Sequence, residues 1–113
     1  MEAAPYPTSG TNRPAPVCPD FHHAVELIGK RWAGAILWAL ADGPVYFGEL
    51  CQAVPGLSDR LLSRRLRELE AEGLVSRAVH EGNPPRVSYE LTEKGEALQP
   101  AIQELGAWAK KWR

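Results

Sequence analysis

Four guanidinium groups, from Arg60, Arg64, Arg65 and Arg67, fall within eight residues of the stretch 56-GLSDRLLSRRLRELEAEGL-74. Ser63 stands among them, and Glu68, Glu70 and Glu72 follow. The chemistry open to such a set is recognition. An arginine fork can bond guanine O6 and N7 together, or a phosphate, and a serine hydroxyl serves either acceptor. Cys18, followed directly by Pro19, offers a thiol that can meet oxidants or electrophiles. Cys51, beside Leu50, reads as a packed thiol. His22 and His23 are neighbours and diverge by about 100° on a helix, and no Cys-x-x-Cys or His-x3-His spacing occurs, so no metal site is expected. No nucleophile–base set and no glycine-rich phosphate loop is present, so neither catalysis nor a cofactor is assigned.

The whole-chain numbers neither add to this chemistry nor forbid it. At 113 residues, 44% hydrophobic and 24% charged, the chain suits one domain with one core. Its formal net charge is −1, so any affinity for nucleic acid must come from a local patch. No stretch reaches the roughly 18 apolar residues of a membrane span, and the first residues hold no apolar run like a signal-peptide core. The expected location is the cytoplasm, where two cysteines remain free thiols.

The elements that must position these groups can be read from spacing. Residues 1–17, with Pro5, Pro7, Pro14 and Pro16, read as a flexible proline-rich arm, and residues 18–113 as the folded domain. A first helix starts at Pro19, carries Phe21, Val25 and Ile28, and ends at Gly29. A second covers about 32–41 and stops at Asp42-Gly43-Pro44. A very short strand at 45–47 and a third helix at about 48–54 precede the turn Pro55-Gly56. Ser58 caps the arginine helix and Gly73 ends it. Segments 75-VSRAVH-80 and 86-RVSYEL-91 alternate with a two-residue period and form a hairpin with the polar tip 81-EGNPP-85. Thr92 caps a last helix to about residue 111, which Gly95 should weaken and Pro100 should kink.

On the fourth helix, Leu62, Leu66 and Leu69 form one stripe, with Arg60, Arg64 and Arg67 roughly opposite and Ser63 beside them. Arg65 lies nearer the stripe, where it serves packing or a phosphate. Arginines first and glutamates last is the reverse of what the helix dipole favours, at a cost of a few tenths of a kcal/mol each, roughly. A helix entering a DNA groove by its N-terminal half resolves that conflict. A solvated face with i,i+4 pairs such as Arg64–Glu68 is the competing reading. The order short helix, tight turn, arginine helix, hairpin is that of a winged helix-turn-helix and favours DNA.

At this point the chain resembles the HxlR-type family of bacterial winged helix-turn-helix transcriptional regulators. The resemblance runs from Cys18 to Trp108 and is carried by 18-CP-19, 27-LIGKRW-32, 36-IL-37, 43-GP-44, 47-FGEL-50, 55-PGLS-58, 62-LSRRLRELE-70, 73-GLVSR-77, 84-PPRVSYELTEKG-95 and Trp108. It implies a mainly α fold with a small β-hairpin, dimers on palindromic operators, and, in several members, sensing of electrophiles or oxidants through the cysteine of the Cys-Pro pair. Carried over, it gives Arg60, Ser63, Arg64 and Arg67 the major groove of double-stranded DNA. Arg77, Asn83 and Arg86 become wing contacts to phosphate or minor groove, and Cys18 the sensing thiol. Cys51 and Gln52 stand where family members often have basic residues.

Pro19 suits the first helical position, which places Cys18 at the N-cap. Free amides favour a thiolate there, and Asp20 opposes it. The flanking helices exceed what a minimal winged-helix core needs, yet carry Phe21, Val25, Ile28, Leu98, Ile102, Leu105, Trp108 and Trp112, the last five at near-heptad spacing. This surplus apolar stripe suggests a homodimer interface with two recognition helices about one DNA turn apart. The alternative function is a winged-helix protein-interaction module without DNA binding. DNA binding requires the arginine face to be open.

Overall fold

The computed structural model describes residues 14–113; most of the expected proline-rich arm lies outside them. Five helices and three strands follow in order: α1 (Pro19–Gly29), α2 (Ala33–Ala39), β1 (Val45–Tyr46), α3 (Phe47–Ala53), α4 (Asp59–Ala71), β2 (Val75–His80), β3 (Arg86–Leu91) and α5 (Glu93–Trp112). The strands make one antiparallel sheet in the order β1-β3-β2. Val75 pairs with Leu91 and His80 with Arg86, while Val45 pairs with Tyr89. The fold is the expected winged helix-turn-helix, with the short first strand completing a three-stranded wing sheet.

The core gathers buried apolar residues from α2, α3, α4, β2, β3 and α5, with Leu27 and Ile28 of α1 and Val45 of β1 packed against it. Ile36, Leu37 and Leu40 come from α2, Leu50 from α3, Leu62, Leu66 and Leu69 from α4, and all are at most 1% exposed. Tyr89, Leu91, Leu74 and Val75 close it from the sheet side, and Ile102 from α5. Each of the three α4 leucines contributes roughly 1.5–3 kcal/mol of burial, which locks the rotation of that helix. α1 buries no residue fully.

Local sequence sets the helix ends. Ser58 Oγ accepts from the Leu61 amide at 3.1 Å, and Thr92 Oγ1 accepts from the Gly95 amide at 3.1 Å. Gly73, at φ 78, ends α4 in the left-handed region. Trp32 also has a positive φ, 77, and leads into α2. That conformation is uncommon for a bulky residue. Its ring packs against the core and lies beside Gly56 of the helix-turn-helix turn.

Two expectations need correction. Gly95 does not weaken α5: a Cβ there would land on the Leu74 carbonyl oxygen, so glycine lets the helix start flush against the end of α4. Second, Ile102, expected at a subunit interface, is 6% exposed within the chain's own core. It is turned inward because α5 lies across α2, with Gln99 Nε2 donating to the Leu37 carbonyl at 3.0 Å. Ile28 of α1 and Leu98 of α5 are partly buried at the edge of that core. α5 continues past Pro100 as one helix of 20 residues. The Trp38 ring sits over Gly106 so closely that a Cβ there would clash with it.

These contacts predict that Gly95→Ala destabilises the protein by about 1–3 kcal/mol, although alanine is the better helix former. Urea unfolding should show a lower midpoint with an unchanged slope. A raised midpoint would show that the α4–α5 junction has room to spare.

Candidate nucleic-acid interface

With the leucines of α4 inside, its opposite side is outside. Arg60, Arg64 and Arg67 are exposed, and among the described residues none of the three has a side-chain hydrogen bond or an ion pair. The competing Arg64–Glu68 pair is not formed. Glu68 is taken by Arg65 at 3.1 Å and by Lys30 at 3.6 Å. Arg65, only 16% exposed in its side chain, also donates from Nε to the Arg31 carbonyl at 2.9 Å. Arg65 is therefore a packing residue, and a phosphate role for it falls away. Lys30 belongs to the same polar seam.

The acidic end of α4 also finds its explanation here. Glu72 faces His23 of α1 at 3.6 Å, so the glutamates attach α1 to the back of α4. The dipole penalty is offset locally. Lys94 Nζ donates to the Glu72 carbonyl at 2.6 Å, and Thr92 Oγ1 donates to the Gly73 carbonyl at 2.6 Å. Both satisfy carbonyls left open at a helix end, and one brings a positive charge to the negative pole. The order of charges along α4 thus serves two partners, a free cationic face at the front and α1 at the back.

The wing stands beside this face. Ser63 shares an open groove of about 440 Å³ with Tyr46, Gly48, Arg86 and Val87, so recognition helix and wing are continuous. Arg86 is exposed, with its guanidinium carbon 3.5 Å from the centre of the Tyr46 ring. Asn83 is exposed at the hairpin tip. Arg77 is exposed too, but the register sets it opposite Tyr89 while Arg86 lies opposite His80. The two arginines therefore project from opposite faces of the hairpin. Val75, Arg77 and Val79 share a face as expected, yet only Val75 is buried, because the hairpin leaves the core after it.

The two cysteines differ in setting. Cys18 is the N-cap of α1, exposed, and makes no side-chain capping hydrogen bond. Cys51 is half-buried on α3 and donates its S–H to Asp59 Oδ1 of α4 at 3.1 Å. Burial, and then the Asp59 carboxylate, push the Cys51 thiol up from its ordinary value. That keeps it protonated and a poor nucleophile. Sequence reasoning missed this Cys51–Asp59 link between the two helices of the motif. It also missed Trp38, which is 49% exposed on the outside of α2.

Comparison with known proteins places this geometry. The family described as HxlR-like helix-turn-helix matches residues 27–113. Over 96 residues the chain is 46% identical to YvaP, an uncharacterized HTH-type transcriptional regulator of Bacillus subtilis, covering 85% of this chain and 89% of that one. It is 45% identical to the HTH-type transcriptional regulator YodB of the same organism, over 85% and 86% of the two chains. The solved reduced form of YodB has a TM-score of 0.75 at 44% identity, over 86% of this chain and 95% of that one. The redox regulator HypR in its oxidized form has a TM-score of 0.79 at 36% identity, over 85% and 98%. A leucine-anchored helix with an open arginine face, a wing beside it and these matches give one conclusion: the chain belongs to the HxlR-like helix-turn-helix family of DNA-binding transcriptional regulators.

Proposed function

We propose that the chain is a cytoplasmic homodimer that binds a palindromic operator and responds to a small electrophile or oxidant through Cys18. In this reading it binds and does not catalyse. Arg60, Ser63, Arg64 and Arg67 enter the major groove, and Arg77, Asn83 and Arg86 meet the flanking backbone or minor groove. The observation that carries the DNA reading is the absence of any intramolecular partner for Arg60, Arg64 and Arg67 among the described residues, while the neighbouring Arg65 is bound to the Arg31 carbonyl and to Glu68. A protein-interaction module would have no comparable need for unpaired guanidinium groups on a helix whose dipole disfavours them.

The dimer reading rests on exposed apolar surface. Phe21 and Val25 on α1, and Leu105, Trp108 and Trp112 on α5, are 43–67% exposed. Large apolar side chains grouped on terminal helices favour a partner surface, and a second copy placed by a two-fold axis would present two recognition helices. The sensing reading rests on position. Cys18 is exposed at the start of α1, and α1 is held to the back of the recognition helix by His23–Glu72 and Lys30–Glu68. Exposed polar contacts of this kind contribute only about 0–1 kcal/mol each, and Leu27 and Ile28 of α1 are only partly buried against the core, so α1 is the helix that a modification at Cys18 shifts most readily. The relatives agree in kind: YodB has been solved quinone-bound and diamide-treated.

Three outcomes follow. Arg60→Ala and Arg64→Ala should each weaken binding to a palindromic duplex from the protein's own promoter region by about 1–3 kcal/mol, measured by fluorescence anisotropy. Unchanged affinity in both would remove them from the interface. Trp108→Ala should lower the dimer fraction in sedimentation velocity; an unaltered distribution would move the interface elsewhere. Quinone or diamide should change operator affinity in the wild type and in Cys51→Ser but not in Cys18→Ser. An intact response in Cys18→Ser would end the sensing role.

A further inference from the structure

A cluster on the outer face of the wing sheet is not used by the core and is not explained by the recognition helix. Tyr46 ends β1, pairs with Ser88 of β3, and immediately precedes α3, where its amide donates to Glu49 Oε1 at 2.8 Å. The Arg86 guanidinium carbon lies 3.5 Å from the centre of its ring. His80, the β2 partner of Arg86, meets the same ring edge-on, with centroids 5.6 Å apart and planes at 72°. His80 Nε2 is in turn 2.8 Å from Oγ of Ser88, a polar residue that is buried on this outer face. All three strands therefore converge on one aromatic ring, and that ring sits at the entry to the helix-turn-helix.

The stack has a directional consequence. A guanidinium centred 3.5 Å from an aromatic ring is restrained by that contact and still keeps N–H groups for a further acceptor. Arg86 lines the same groove as Ser63, Gly48 and Val87. The groove thus has in its lining a restrained arginine and the serine on the flank of the recognition helix, side chains that can donate to a phosphodiester oxygen. A wing arginine on a free hairpin would pay side-chain entropy to reach a phosphate, whereas this one is already ordered.

We propose that Tyr46 is a positioning residue for DNA binding: it holds Arg86 against the helix-turn-helix so that Arg86 and Ser63 together seat one backbone phosphate between wing and recognition helix. His80, fixed by Ser88, backs the ring. The assignment rests on the DNA-binding reading above, and it adds the residue that fixes the wing contact and the class of group that contact takes.

The test uses the full chain with a random-sequence duplex, because non-specific affinity comes from phosphates and needs no operator. Arg86→Ala should make the slope of log K against log salt shallower by about 0.9, the value for one phosphate. Tyr46→Leu should weaken binding by roughly two- to fivefold, the worth of an exposed cation–π contact, and Tyr46→Phe should bind as the wild type. In the Arg86→Ala background, Tyr46→Leu should cost nothing further. A merely structural role for Tyr46 would give the same loss in both backgrounds, and that result overturns the proposal. So does wild-type affinity in Tyr46→Leu. An unchanged salt slope in Arg86→Ala overturns it too, by showing that the wing touches no phosphate. Loss of all duplex binding in Arg60→Ala together with Arg64→Ala, beside an unaltered Arg86→Ala, would leave the DNA-binding reading standing while the wing assignment fails.

Discussion

Burial of Leu62, Leu66 and Leu69 against the core is the constraint on which the rest depends. Three leucines at helical spacing can be covered in only one rotation of α4. That rotation places Arg60, Arg64 and Arg67 in solvent and Glu68 and Glu72 toward α1. The apolar stripe is thus an orienting device as much as a source of stability. At roughly 1.5–3 kcal/mol for each side chain it outweighs the few tenths that the reversed order of charges costs along the helix dipole. A sequence selected for helix stability alone would have put the acids first. This one keeps the arginines at the N-terminal half and recovers the loss at the other end, with Lys94 on the Glu72 carbonyl.

The same helix divides the arginines by function. Arg65 is one position from Arg64, yet it is half-buried, donates to the Arg31 carbonyl and pairs with Glu68. Among the described residues Arg64 has no such ties, and neither do Arg60 and Arg67. Adjacent residues diverge by about 100° on a helix, and that angle separates a residue that fastens α4 to the α1–α2 corner from residues left for a partner. Cys51 makes a comparable fastening in front, from α3 to Asp59 at the start of α4. The recognition helix is therefore held at both of its ends and along one side.

α1 is the least anchored of the helices. It buries no residue fully, and exposed polar side chains, His23 within it and Lys30 at its C-cap, reach Glu72 and Glu68 at the end of the recognition helix. α5, by contrast, is seated by Ile102, by Gln99 on the Leu37 carbonyl and by Trp38 over Gly106. α5 is thus firmly seated on the core, while α1 is the more lightly held of the two terminal helices.

The sequence by itself determined the elements and most of their ends. Ser58, Gly73 and Thr92 act where their local chemistry says they should, because capping depends only on near neighbours in the chain. It also determined the leucine stripe and the arginine face opposite it, since both follow from helical period alone. Hidden from it were all the matters settled by residues far apart in the chain. Gly95 reads as a defect until Leu74 is found against it, and Ile102 reads as interface until α5 is laid across α2. Glu68 could have paired with Arg64 or Arg65 by spacing, and the approach of Lys30 and Arg31 chose between them. Tyr46, 40 positions from Arg86 by number, meets it only because β1 pairs with β3. Period and capping are local properties that a linear chain displays. Close approach and choice of partner are properties of the packed chain, and only the tertiary structure decided them.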